Sequence, residues 1–152
     1  MATQEFVLTE EMRQEAIGVQ GVPRVVPVAK GDIVRFAEAI EDQNILWNDE
    51  SVARKSRYGG LIASPTFLRS MRPERPAIPF DIPFTRLLDA GSHWEYSQLV
   101  RPGDCITAIA CIENISQRMG KLGPMLFVLN AITYSNQFSE IVAIERNSLI
   151  RY

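Results

Sequence analysis

Alternation of apolar residues in the second half of the chain restricts its fold more than any other feature. From His93 onward, "HWEYSQLV", "DCITAIACIENI", "PMLFVLNAITYS" and "EIVAIERNSLIRY" follow one another as β-like runs, separated by the turn signals "RPGD", "RMGKLG" and "SNQFS". Strand side chains point alternately to opposite faces. Ile106, Ala108, Ala110 and Ile112 therefore share one face of their run, and Leu126, Val128 and Ile132 share one face of the next, with Asn130 a polar exception among them. Both faces of these runs are fairly apolar, as expected if one covers a helix and the other meets a partner chain. The pattern predicts an antiparallel meander.

The first half reads differently. "LTEEMRQEAIGV" offers Thr9 as an N-cap, acidic residues in the first turn and Gly18 near the end, which predicts a short helix. "PRVVPVAK" is β-rich but interrupted by Pro23 and Pro27, which suits an edge strand. In "GDIVRFAEAIED", Ile33, Phe36, Ala37 and Ile40 recur at helical spacing behind Asp32, giving an amphipathic helix. "SVARKSRYGGL" reads as a turn of helix and a loop ending at Gly59-Gly60. "SPTFLRSM" places Ser64 at an N-cap position and Pro65 at the first helical position. Residues 72–92 hold four prolines and read as a long ordered loop or crossover. Helices followed by strands give an α+β domain spanning 1–152, with 1–22 as a helical extension.

Composition narrows the function classes. With 152 residues, 46% hydrophobic and 22% charged, the chain has the makeup of one globular domain with a core of its own. A net charge of -2, without a basic block, gives no electrostatic case for nucleic acid or an anionic membrane. Cys105 and Cys111 lie on one face of a single predicted strand, roughly 20 Å apart along it, too far to bridge. They read as reduced thiols, which with the absence of a signal pattern at the N-terminus predicts a cytoplasmic protein. No apolar run approaches the ~18 residues a membrane span needs.

The stretch "GDIVRFAEAIEDQNILWNDESVARKSRYGGLIASPTF" resembles the MaoC-like hydratase/dehydratase family, whose members have the hot-dog fold, an antiparallel sheet wrapped around a long central helix. "LLDAGSHWEYSQLVRPGD", "GKLGPMLFVLNAITYSNQ" and "LIRY" are similar to the family's later elements, most closely those of its N-terminal-type, non-catalytic domains. The resemblance covers residues 23–152 and places 64–71 in the buried central helix.

Catalytic members add water to, or remove it from, an enoyl thioester carried on coenzyme A or acyl carrier protein. The resemblance implies a base, formed by an Asp and a His five residues later, and a backbone N–H donor for the thioester oxygen at the start of the central helix. Asp42 matches the catalytic Asp and Asn44 the Asn of the motif, while Glu41 stands where Gly is usual and Ile45 where Pro is usual. Trp47 stands where the His belongs, and an indole cannot accept a proton from water. Ser64 and Pro65 replace the His-Gly that precedes the central helix, and proline has no N–H to donate. Two separate elements of the catalytic apparatus are therefore altered.

The resemblance assigns the substrate-facing surface to Trp47, Arg57, Tyr58, Gly59, Gly60, Ser64, Pro65, Thr66 and Phe67, with Trp47 an apolar plug in the former base position. Asn44 reads as a turn-ordering residue that bonds to the backbone. Arg54, Lys55 and Arg57 form either a solvated basic face or a lure for the phosphates of the carrier. His93, the single histidine, is either a strand-edge residue or a substitute base. "GKLG" reads as a hairpin turn. One histidine leaves no metal-ligand spacing and no Ser-His-Asp set, and no permanently bound cofactor is expected.

These residues imply a subunit of an (R)-specific enoyl-CoA hydratase or 3-hydroxyacyl-thioester dehydratase. It would be the substrate-channel half, in a homodimer or a heterodimer with a catalytic hot-dog polypeptide. Two other readings are a homodimeric acyl-thioester binding protein without chemistry, and a self-sufficient hydratase using Asp42.

Overall fold

The computed structural model describes residues 6–121 and 123–152. Thr9 caps the first helix, α1 (Glu10–Ala16), its Oγ1 accepting from Met12 N at 3.2 Å. Strand β1 (Arg24–Pro27) follows, then α2 (Lys30–Ala39), where Asp32 accepts from the backbone N–H of Ala29. Two short helices, α3 (Ile45–Asn48) and α4 (Glu50–Lys55), lead to a 3-10 segment over Pro65–Met71. The remaining strands are β2 (Leu87–Tyr96), β3 (Cys105–Gly120), β4 (Gly123–Ser135) and β5 (Ile141–Arg151).

All pairings are antiparallel, in the order β1-β3-β4-β5-β2, so β1 and β2 form the two edges. The α+β hot-dog class and the edge position of β1 stand as expected. The inward residues of β3 and β4 are those that the alternation assigned: Ile106, Ala108, Ala110 and Ile112 on β3, and Leu126, Val128, Asn130 and Ile132 on β4, are all buried. Cys105 and Cys111 are free thiols on the half-buried outer face. Of the expected "GKLG" turn, Leu122 lies outside the described residues; Gly120 pairs with Gly123 on its two sides. Residues 1–5, where the N-terminal reading began, also lie outside them. No helix among the described residues is long and apolar enough to cross a membrane.

Two expectations need correction. The segment over which the sheet wraps is not a long helix. It is seven residues of 3-10 helix ending at Met71, because Pro73, Pro76, Pro79 and Pro83 deny the backbone donors and the conformation that a continuing helix needs. The chain crosses the sheet in extended form instead, with Ile78, Phe80, Ile82 and Phe84 packed on the apolar residues beneath. Strand β2 also begins at Leu87 rather than His93. A register shift between Asp89 and Ser92, with Gly91 at φ +110°, breaks the alternation that would have marked it.

The inward face of the sheet thus carries two apolar clusters. One, around Ile106, Ala108, Ile132, Tyr134 and Ala143, lies under α2 and the 3-10 segment. The other, around Ile112, Ile115, Leu126, Val128 and Leu149, lies under residues 6–19 and 78–84. Between them runs a polar seam in which Asn130 sits directly opposite Asn147, and Glu145 is next inward on β5.

Candidate functional site

The segment from Ile40 to Asp49 is shaped by how α2 ends. Asp42 N–H bonds to Ala37 O at 2.9 Å and Glu41 N–H to Glu38 O at 3.1 Å, the paired contacts of a Schellman motif. That motif needs the residue just past the C-cap in the left-handed region, and Glu41 occupies that position with φ +56°. This is the position at which the resembling family carries glycine, and glycine adopts that conformation at no steric cost. Asp42 is then turned to serve the backbone, its Oδ1 accepting from Asn44 N at 3.1 Å. Asn44 caps α3 through a 3.0 Å bond from Leu46 N, in the turn-ordering role expected of it. Asn48 Nδ2 closes the loop on the carbonyls of Asp42 and Asn44 at 2.7 and 2.8 Å.

This turn rolls Trp47 inward. Its ring is buried, and it lines an apolar cavity of about 370 Å³ together with Leu46, Tyr58, Ile62, Ala63, Ser64, Pro65 and Leu68 on one side and Tyr96, Gln98, Leu99 and Val100 on the other. The two walls are held by backbone bonds, Ile62 N–H to Leu46 O at 3.2 Å and Ala63 N–H to Val100 O at 2.8 Å. A third tie, from Tyr96 Oη to Pro65 O at 2.8 Å, joins the end of β2 to the start of the 3-10 segment. Burial raises the Tyr96 phenol above its ordinary pKa, with the Glu145 carboxylate a smaller contribution, so it stays a neutral donor.

The expected cap at Ser64 is not made. Its Oγ is buried without a hydrogen-bond partner among the described residues, and so is Trp47 Nε1. Both belong to residues that line the same cavity. Buried donors are normally paired, so two unpaired ones in one apolar chamber suit a guest that carries an acceptor.

Of the residues assigned to the substrate surface, the structure therefore gathers Trp47, Tyr58, Ser64 and Pro65. Phe67 lies in the core instead, edge-on to Phe36 with ring centroids 5.6 Å apart. Thr66 and Gly59 are exposed, and Gly60 is half-buried outside the lining. Arg57 stacks on the Tyr58 ring at 4.8 Å and donates to its hydroxyl at 2.6 Å. Arg54 pairs with Glu50 at 2.8 Å on an exposed surface. Asp42 belongs to a separate open depression with Glu38, Glu41, Gln43 and Asn48. His93 stands exposed on the outer face of β2, 3.8 Å from Glu95. Leu46, Ile62, Leu68, Tyr96 and Gln98–Val100 escaped sequence reasoning; the signal for Tyr96 was its shared face with Trp94 in "HWEY".

A second polar group lies at the far end of the 3-10 segment. The Arg72 guanidinium forks onto Glu145, with Nε 3.1 Å from Oε2 and Nη2 bonded to Oε1. Ser92 Oγ and Tyr134 Oη also donate to this carboxylate, at 2.7 and 3.2 Å. Arg69 lies 3.6 Å from Glu145, and both arginines approach Asp89, at 3.7 and 3.8 Å. Glu145 is 0% exposed, so only this set of donors makes its charge tolerable. Burial, reinforced by that charge, drives the Tyr134 phenol far above its ordinary range.

The fold has known counterparts. A model of the FAS1-like dehydratase domain region matches residues 15–145. A UPF0336 protein of Thermobifida fusca is 31% identical over 104 residues, 65% of this chain and 68% of that protein. A probable enoyl-CoA hydratase alpha subunit of Thermomonospora curvata is 26% identical over 144 residues, 83% of this chain, which spans 45% of that protein. Among solved structures, the MaoC-like dehydratase from Rhodospirillum rubrum shares the fold with a TM-score of 0.71 at 23% identity, over 96% of this chain and 97% of that one. The ChsH1-ChsH2 complex of Mycobacterium tuberculosis contains a chain that matches with a TM-score of 0.74 at 17% identity, over 93% and 92%. The match across 15–145, on a sheet that shares the fold of the MaoC-like dehydratase structure, establishes that this chain belongs to the FAS1-like dehydratase family.

Proposed function

We propose that this chain is the substrate-channel half of an (R)-specific enoyl-thioester hydratase or 3-hydroxyacyl-thioester dehydratase, of the N-terminal, non-catalytic type. One observation carries the reading. The cavity at the family's reactive position contains no carboxylate, imidazole or amine among its lining residues, and Trp47 fills the place of the base. A chamber built this way can hold an acyl group, with Trp47 Nε1 and Ser64 Oγ available to an acceptor such as a thioester carbonyl. It has nothing there to deprotonate water. Asp42 does not supply the missing group, because its carboxylate serves the Asn44 turn outside the cavity.

Edge strand β2 supports the partner half of the proposal. Its outer edge has no neighbour in the sheet among the described residues, and Leu87, Leu88, Tyr96 and the adjacent Leu99 are 38–50% exposed there. A long uncovered edge with apolar side chains invites a further strand. The relative named an alpha subunit and the two-component ChsH1-ChsH2 complex are in keeping with a second hot-dog subunit at this edge, one carrying an intact Asp and His.

The test is hydration of crotonyl-CoA, followed by loss of enoyl absorbance, with the chain alone and with a hot-dog subunit carrying the Asp-x-Asn-Pro-aliphatic-His motif. Turnover that needs the mixture supports the proposal. Robust turnover by the chain alone, abolished by Asp42→Asn, overturns it in favour of a self-sufficient enzyme. Acyl-CoA binding by a homodimer that yields no turnover with any such partner overturns it in favour of a pure binding protein.

A further inference from the structure

We infer that the polar seam between the two apolar clusters is a second ligand subsite, which receives a hydroxyl group carried on the acyl chain far from the thioester. The inference rests on the acyl-thioester reading of the Trp47 cavity and extends it to a substrate class. The seam opens into a cavity of about 460 Å³, with residues 72–76 on one side and Ala110, Asn130, Ile132 and Asn147 on the other. It exists because the cover of the sheet changes there. The 3-10 segment stops at Met71, the extended crossover begins, and the join leaves a cavity that Asn130 helps to line.

The walls are built. Arg24 Nη1 donates to Arg72 O at 3.1 Å, and the crossover lies so close to Gly21 that a Cβ there would be 2.6 Å from Glu74 O. Gly21 is itself fastened to β3 by its N–H to Ala110 O at 2.9 Å. The opening is therefore held on both sides by backbone contacts.

Its chemistry follows from what is already engaged. Asn147 Nδ2 donates to Asp89 Oδ1, Gly91 O and Ser92 Oγ at 2.9–3.2 Å. Arg72 is bound to Glu145, and the two arginines of the cluster face two carboxylates, Asp89 and Glu145. At the rim, Glu74 and Arg75 balance each other. An anionic guest thus meets no net positive charge. Asn130 differs from its neighbours: it is 4% exposed, on the inward face of a strand, and its Oδ1 has no hydrogen-bond partner among the described residues. An unpaired buried amide oxygen seeks a donor. A hydroxyl donates to it and can also accept from the amide nitrogen, whereas a keto oxygen only accepts and a methylene does neither.

Position links the seam to the first cavity. Pro65 and Leu68 line the Trp47 cavity and Arg72 lines the seam, so the seven-residue 3-10 segment runs from one to the other over about 14 Å at ~2 Å rise per residue. A chain anchored by its thioester end at Trp47 would meet Asn130 only with its distal end, and only where the Leu68 and Met71 side chains packed between the two cavities move aside for it.

Isothermal titration of the full chain with decanoyl-, dodecanoyl- and tetradecanoyl-CoA, each against its ω-hydroxy counterpart, tests this. At the matching length the hydroxylated ligand is expected to bind about tenfold tighter, the effect of one satisfied buried hydrogen bond. Asn130→Leu should erase that preference while the parent ligand keeps its affinity. Equal affinity for both members of every pair, with binding intact, overturns the inference and leaves the acyl-thioester reading standing; the Asn130 amide then serves only water. Absence of binding by any of the six overturns that reading and this inference with it. Because the wild-type comparison decides by itself, a variant that failed to fold would not rescue the idea.

Discussion

Arg72 and Glu145 form a forked ion pair that joins the last turn of the 3-10 segment to the centre of β5, across 73 residues of sequence. Glu145 is fully enclosed, so its partners and not water must stabilise its charge. Arg72→Met should therefore destabilise the fold by about 3–5 kcal/mol, because it strands a buried carboxylate. The double variant Arg72→Met/Glu145→Gln should regain at least half of that loss, since its amide leaves no uncompensated charge. Urea unfolding followed by circular dichroism measures both, and equal losses in the single and double variants would refute the coupling.

Glu41 has the opposite character. It holds a left-handed conformation at the Schellman turn that an L side chain adopts only at a cost of about 1–2 kcal/mol. Glu41→Gly should raise stability by up to ~1 kcal/mol, after allowing for the greater freedom of glycine in the unfolded chain. A lower denaturation midpoint in this variant would show that the Glu41 side chain makes a stabilising contact that outweighs the strain.

At Trp47 the ring and its N–H can be separated. Trp47→Phe keeps an aromatic filler and deletes a donor that has no partner among the described residues, so stability should change by less than ~1.5 kcal/mol. Affinity for a saturated acyl-CoA should nevertheless fall about fivefold, through loss of the hydrogen bond to the guest. Trp47→His should give no hydratase activity in the isolated chain, because Asp42 faces another depression and Pro65 lacks an N–H. Crotonyl-CoA hydration rates and titration isotherms check these outcomes together.

Asp89 and Tyr134 contribute to the pH dependence of the fold from opposite sides. The Gly91 N–H, followed by the Asn147 amide, holds the Asp89 carboxyl below its ordinary value of 3.8. A depressed folded pKa contributes stability above the unfolded value, and that stability is lost as the pH falls through the folded value. Tyr134 is shifted upward by burial, so its contribution is complete below about pH 10 and declines as the pH rises beyond it. Asp89→Asn should flatten the acid side of a stability profile measured between pH 2 and 6 and leave the alkaline side unchanged, whereas Tyr134→Phe should flatten the alkaline side.

Most of the sheet was legible because β3, β4 and β5 bury one face, and burial writes a two-residue period into the sequence. β2 was only half legible: its side chains are largely exposed and its register slips at Gly91, so neither burial nor alternation marks where it begins. The fate of residues 64–71 was misjudged because Ser64 and Pro65 form a sound local start to a helix, while the stop comes from prolines that lie beyond it. Trp47 could be recognised from its place in the "DQNILWND" frame. The partners of Glu145 could not, since a charge on an inward strand position reveals only that some counter-charge is needed, and Arg72 is supplied from a distant crossover. Asn130 showed in the sequence as an exception on an apolar face, and in the fold that exception became a cavity wall.

The hydrogen bond from Tyr96 to Pro65 has a consequence for regulation. Tyr96 ends the edge strand on which a second subunit would dock, and it is also a wall of the chamber that would hold the acyl group. Two equilibria that share one residue cannot be independent if either one moves it. Whatever factor assembly contributes to acyl affinity, acyl binding must return to assembly, because the coupling free energy is the same in both directions. Where assembly tightens acyl binding, the loaded chain is the form that recruits its partner; where assembly weakens it, loading releases the partner.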